Sequence, residues 1–197
     1  MPHSPRQSGF TLIELLIVVA LLSLAAGMII PSANPSLRDK LEGATQLIAS
    51  DIALARSWAV ANDSNYRITF DIAQNRYLLE HTGSNPALNS LPRSPFSRPS
   101  DPANQYIIRL SNLPHLGGTA RLYAVRALSN TPQTVTNLEF GPYGETTRTE
   151  ETQVWLAAGV GSATRYLSVR VNPVTGLTWI ENFQATDPLT SSGASGS

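Results

Sequence analysis

The chain has no cysteine, which excludes disulfides and thiolate metal sites together. It has no net charge either. Its 14 basic residues face 14 acidic ones, so no global field draws it to nucleic acid or to an anionic surface. Lysine is nearly missing, with Lys40 the only one beside 13 arginines. "GVGS" at 159–162 lacks both the lysine and the spacing of a phosphate-binding loop. Histidine is scarce: His3 lies near the start, and His81 and His115 lie in or beside loops. None has a histidine or cysteine close in sequence to complete a metal or catalytic set. Glu145, Glu150 and Glu151 gather near a turn without the alternating Asp/Asn oxygens of a calcium loop, and read as a solvated acidic loop. No catalytic residue, cofactor or metal set emerges, so an enzyme is not expected.

What the chain does have is one long apolar run, "SGFTLIELLIVVALLSLAAGMII", Ser8 to Ile30. Phe10 to Ile30, about 21 residues at roughly 1.5 Å each, are just enough for a helix across a ~30 Å hydrocarbon core. A short polar stretch with Arg6 as its only side-chain charge precedes it. Inside the run sits Glu14, and an acid in a membrane span costs roughly 2.5–3.5 kcal/mol even on lenient scales. A secretory signal would explain the order of segments, with "SLAAG" as a cleavage site, but the run exceeds the usual apolar region of such signals. A plain anchor explains the length. Neither explains Glu14.

The remainder reads as one α+β domain. Ser36 and Asp39 match a capping box. Leu37, Leu41, Ala44, Ile48, Ile52, Ala55 and Ala59 then form an apolar helical stripe with charges opposite, ending at Asn62 and Asp63. After Asn65 the period becomes that of a strand. "YRITFDI" puts Tyr66, Ile68, Phe70 and Ile72 on one face, and "NRYLLE" completes a hairpin. Residues 82–105 are rich in Pro, Ser and Asn and predict a long irregular loop. "YIIRL", "TARLYAVRAL" (ambiguous with helix), "TVTNLEF", "TQVWLAA", "RYLSVRV" and "LTWIENF" predict further strands. The 14 prolines and 13 glycines mark many turns. Residues 184–197 predict a disordered tail.

"GFTLIELL" resembles the processing site of type IV prepilins and type II secretion pseudopilins. That resemblance implies cleavage after Gly9 by a prepilin peptidase, N-methylation of the new terminus Phe10, and an assembly role for Glu14. Cleavage would leave a cationic amine on Phe10 at the edge of lipid, and a buried charge must be paired. The Glu14 carboxylate can neutralise it, within a subunit or between neighbours. Gly27 and Pro31 then break the helix. Proline at this place either simply ends the span or, as in pilins, permits local melting. The Ala55-Arg56 helix, "LEFGPYGE" and the closing hairpin "YLSVRVNPVTGLTWIE" resemble the GspH/FimT family of minor pseudopilins and minor pilins. The long loop 82–105 and the single leader arginine depart from the family pattern.

The resemblance implies a leader at 1–9, a transmembrane and assembly helix at 10–30, and an amphipathic spine at 31–63. A periplasmic, pilin-like domain of antiparallel strands follows at 64–183, packed on that long helix. The implied function is structural: a GspH-like subunit of a type II secretion pseudopilus in the bacterial inner membrane, partnered by lipid and by other pseudopilins. The alternative is a FimT-like minor pilin serving pilus assembly or DNA uptake. Arg93 and Arg98 flanking Phe96 are the candidate DNA contact, two cations around a stacking ring. The neutral chain argues against nucleic acid as a partner.

Overall fold

A computed structural model of the protein describes residues 11–29, 36–114, 116 and 118–191. The chain divides into two compact units, Met1–Pro35 and Ser36–Ser197. In the first, the apolar run forms helix α1 (Leu12–Ile29). Among the described residues no helix is long and apolar enough to cross a membrane. The 18 residues of α1 reach about 27 Å, short of a ~30 Å core. The span expected at 10–30 extends at both ends beyond the described residues. The expected break at Gly27 is absent, because α1 continues through it to Ile29. A single glycine costs about 1 kcal/mol relative to alanine and removes no backbone donor. Pro31, the other expected break, lies outside the described residues, as does 31–35 of the expected spine.

The second unit opens with α2 (Leu37–Ala61). Ser36 starts it as expected: its Oγ accepts from the Asp39 N–H (3.2 Å), and Asp39 Oδ2 accepts from the Ser36 N–H (2.9 Å). Leu41, Ala44, Ile48, Ile52, Ala55 and Ala59 form the buried stripe. One charge departs from the expected pattern, since Asp51 is buried on that same face. The Tyr77 hydroxyl donates to it at 2.6 Å, and the Tyr106 hydroxyl approaches at 3.4 Å. Burial pushes the Asp51 carboxyl above its ordinary range, and the two hydroxyls oppose that shift.

Nine strands follow: β1 (Tyr66–Asp71), β2 (Arg76–His81), β3 (Tyr106–Arg109), β4 (Ala120–Ala127), β5 (Gln133–Thr134), β6 (Asn137–Phe140), β7 (Thr152–Ala158), β8 (Arg165–Val171) and β9 (Thr178–Ile180). They form two antiparallel sheets, ordered β3-β2-β1-β6 and β5-β4-β7-β8-β9. Tyr66, Ile68 and Phe70 point inward as the alternation predicts, but Ile72 falls past the end of β1 and is 38% exposed. The ambiguous "TARLYAVRAL" is a strand because β4 pairs with β7 along nearly its whole length, interrupted by a bulge between Leu122 and Ala124. The α2 stripe packs in one core with Ile68, Leu79, Leu138 and Phe140 of the first sheet and Val154, Leu156, Leu167 and Val169 of the second. Truncating any of these to alanine removes apolar contacts and leaves a cavity.

The tail corrects the sequence reading. Residues 184–191, expected to be disordered, are placed against the second sheet. Gln184 exchanges both backbone hydrogen bonds with Tyr166 (2.9 Å each), and the Tyr123 hydroxyl donates to Asp187 at 2.6 Å. Asp187 also accepts from the Leu189 N–H (2.9 Å), opening a one-turn helix, α3 (Pro188–Ser191). An Asp cap before a Pro is a helix-start signal that the polar composition of the tail concealed. Residues 192–197 lie outside the described residues.

Candidate functional site

In the first unit the site is built around Glu14. The Thr11 carbonyl accepts from the Leu15 N–H (3.2 Å), and Thr11 Oγ1 accepts from the Glu14 N–H (3.3 Å). Thr11 therefore caps α1 and sets Glu14 in its first turn, where the unpaired N–H groups and the helix dipole favour negative charge. The spacing Thr-x-x-Glu is the sequence signal of this cap, set here at the edge of an apolar run. From Leu12 to Leu22 every large apolar side chain of α1 is exposed, with Leu12 at 83% and Val18, the least exposed, at 48%. A helix apolar on all sides is built to be covered by lipid or by other helices. Gly9 and Phe10 lie outside the described residues.

In the second unit, three loosely matching segments meet at one place. Arg56 Nε donates to the Thr175 carbonyl at 2.7 Å, bridging α2 to the hairpin between β8 and β9. Gly144 and Gly176 both hold positive φ, +83° and +64°. A Cβ at Gly176 would stand 2.0 Å from the Gly144 carbonyl oxygen. Only glycine allows the two turns to close on Arg56. Tyr143 and Val174, 88% and 78% exposed, stand at the tips of these turns.

Residues 4–30 match the family model described as the prokaryotic N-terminal methylation motif. The N-terminus is prepilin-like. The methylation motif covers the segment that presents Glu14 and the whole of α1. Among solved structures, the chain is similar to the minor pseudopilin EpsH of the Type 2 Secretion System of Vibrio cholerae, with 11% identity and a TM-score of 0.50, covering 73% of this chain and 97% of that one. It is also similar to the type IV minor pilin FimU of Pseudomonas aeruginosa, with 15% identity and a TM-score of 0.42, covering 72% of this chain and 93% of that one. No curated protein matches it by sequence. The fold of the chain is that of EpsH, a helix packed on antiparallel sheets.

In the second unit, loop 82–105 is more firmly held than its composition suggests. Arg93 and Arg98 are exposed, but Phe96 is half-buried and packs on the core. It lines an apolar recess with Leu47, Leu113 and Leu116. The ring is thus not free to stack between the two arginines. Arg109 grips Asp101 with two hydrogen bonds of 2.9 and 2.7 Å. The Arg109 guanidinium holds the Asp101 carboxyl down, from its ordinary 3.8 to about 2. A carboxyl depressed on folding adds stability above its unfolded pKa, and that stability disappears as pH falls through the folded value. Asp101→Asn is therefore expected to cost about 2 kcal/mol at pH 7 and almost nothing near pH 2. Urea titrations of both proteins at the two pH values check this, and an equal difference at both would reject it.

His81 shows what sequence distance concealed. Its Nε2 lies 2.7 Å from Ser64 Oγ and its Nδ1 lies 2.7 Å from Asn89 Oδ1. Serine, imidazole and amide line up as in a hydrolytic relay. However, Ser64 and His81 are buried, and a Cβ at Gly83 would sit 2.0 Å from Ser64 Oγ. That leaves no room for an acyl substrate, and the arrangement is a latch joining the end of α2, β2 and the start of the loop. Among the described residues no group of three or more acidic or histidine side chains is placed to hold a metal. Glu151 is instead paired with Arg170 at 3.3 Å.

Proposed function

We propose that the protein is a structural minor pseudopilin, GspH-like, of a type II secretion system. The observation that carries this reading is the methylation motif at residues 4–30, which encloses an apolar helix with one acid, Glu14, in its first turn. A prepilin peptidase cuts after Gly9, and the new amine of Phe10 is methylated. Residues 10–30 then hold the chain in the inner membrane, with the second unit in the periplasm. On assembly the helix leaves lipid for a bundle of pseudopilin helices, where the Phe10 ammonium and a Glu14 carboxylate neutralise one another. The charge that is costly in lipid becomes a source of register in the filament. Likeness of fold to EpsH, over nearly all of that chain, supports the pseudopilin reading.

Deleting the gene in its host is the test. Export of type II substrates is expected to fall, with pilus-dependent motility and transformation unchanged. Normal export with lost motility or transformation would assign the chain to a type IV pilus instead.

A further inference from the structure

The outward face of the second sheet carries a row of side chains set by strand register. Arg126 lies opposite Gln153, Gln153 opposite Arg170, and Arg170 opposite Trp179. With strands about 4.8 Å apart, Arg126 and Arg170 stand about 10 Å from each other at the backbone. The two cations have different surroundings. Arg170 is paired with Glu151 at 3.3 Å and with Glu181 at 3.2 Å. Among the described residues Arg126 has no carboxylate partner; the buried Nε of each arginine lacks a hydrogen-bond acceptor, but only the charge of Arg170 is answered by carboxylates. A buried N–H without an acceptor is costly, and native structures seldom leave one without a reason. Beside it opens a cavity of about 220 Å³, lined by Arg126, Gln153, Trp155, Arg170, Gln184 and Pro188 among others. The last two belong to the placed tail, so the segment after β9 forms one wall.

We propose that this cavity is a carboxylate-binding site, with the Arg126 guanidinium as its anchor. A guanidinium offers a planar fork of N–H donors that fits the two oxygens of a carboxylate. The charge around the cavity leaves room for one negative charge only. Glu151 and Glu181 already answer Arg170, so Arg126 is the one uncompensated cation of the lining. A phosphate dianion would meet repulsion from Glu181, which also lines the cavity. The volume suits a carboxylate and the few atoms that carry it, and the Trp155 ring and Pro188 supply apolar contact for those carbons. Either the end of a polypeptide or an acidic side chain presents this group.

The test uses the full chain, labelled with ¹⁵N, in non-ionic detergent. Sodium acetate is titrated against sodium chloride at constant ionic strength, following the side-chain amides of Gln153 and Gln184. Acetate is expected to give saturable shifts that chloride does not. Arg126→Met keeps the apolar stem and should abolish them. Arg126→Lys keeps the charge without the fork and should weaken binding about tenfold. Unchanged backbone amides of Val154 and Val169 verify that both variants are folded. N-acetylglycine and the α-amide of N-acetylaspartate carry a chain-end and a side-chain carboxylate, and the tighter of the two names the source. Identical shifts with acetate and chloride, survival of the shifts in Arg126→Met, or tighter binding of inorganic phosphate than of acetate would each overturn the proposal.

Discussion

Gly9→Val, co-expressed with a prepilin peptidase, is expected to leave the precursor essentially uncleaved. The peptide to be cut follows a residue with no side chain, where the backbone is open to a protease embedded in the membrane. Valine adds bulk at that bond, and its branching at Cβ restricts the backbone the protease must bind. A fall in cleavage of about tenfold or more corresponds to a barrier raised by at least about 1.4 kcal/mol. Intact-mass measurement reads the outcome directly. Wild type should yield a mature chain beginning at N-methylated Phe10, and the variant should retain Met1 to Gly9. A mature terminus at Phe10 in the variant, or wild-type cleavage after Ala26, would show that Gly9 is not the processing site.

Glu14→Val should separate membrane insertion from assembly. The substitution makes the span more apolar, so the membrane fraction should stay the same or rise slightly. Incorporation into a filament should collapse, because deleting one half of a buried ion pair costs ~3–5 kcal/mol. Exposure of that end to the lipid interface would lower the figure. Thr11 adds a discriminating detail: valine at position 14 still donates its backbone N–H to the Thr11 hydroxyl, so α1 should start at the same place. Any defect then belongs to the carboxylate and not to helix formation. Crosslinking to co-expressed filament subunits, measured beside the membrane fraction, decides the matter. Undiminished crosslinking would remove Glu14 from the assembly step.

Local signals in this sequence were easy to read, and long-range ones were not. The α2 stripe, its Ser36 start and the alternation in β1 follow from spacings of two to four residues, which a one-dimensional reading captures. The rule that charges lie opposite the stripe fails at Asp51, because its two tyrosine donors come from β2 and β3, 26 and 55 residues away. His81 looked isolated for the same reason, with Ser64 17 residues before it. Asp101 and Arg109 are only eight apart, yet nothing in the composition of a proline-rich loop announces a clamp. The tail was misjudged by composition alone. In the candidate site, Glu14 stood out because a charge in an apolar run is conspicuous. Arg126 did not, since its distinction is the absence of a partner.

The reciprocal bonds between Ser36 and Asp39 bear on the order of events during biogenesis. A helix needs a nucleus, and nucleation is its most costly step. In α2 that nucleus is supplied within its own unit, by two side chains that close the first turn without any help from upstream sequence. On the function proposed above, the second unit can therefore complete its folding as soon as it is translocated, without waiting for the helix that precedes it. Assembly as proposed would then start from a second unit already folded, with no refolding step to slow it.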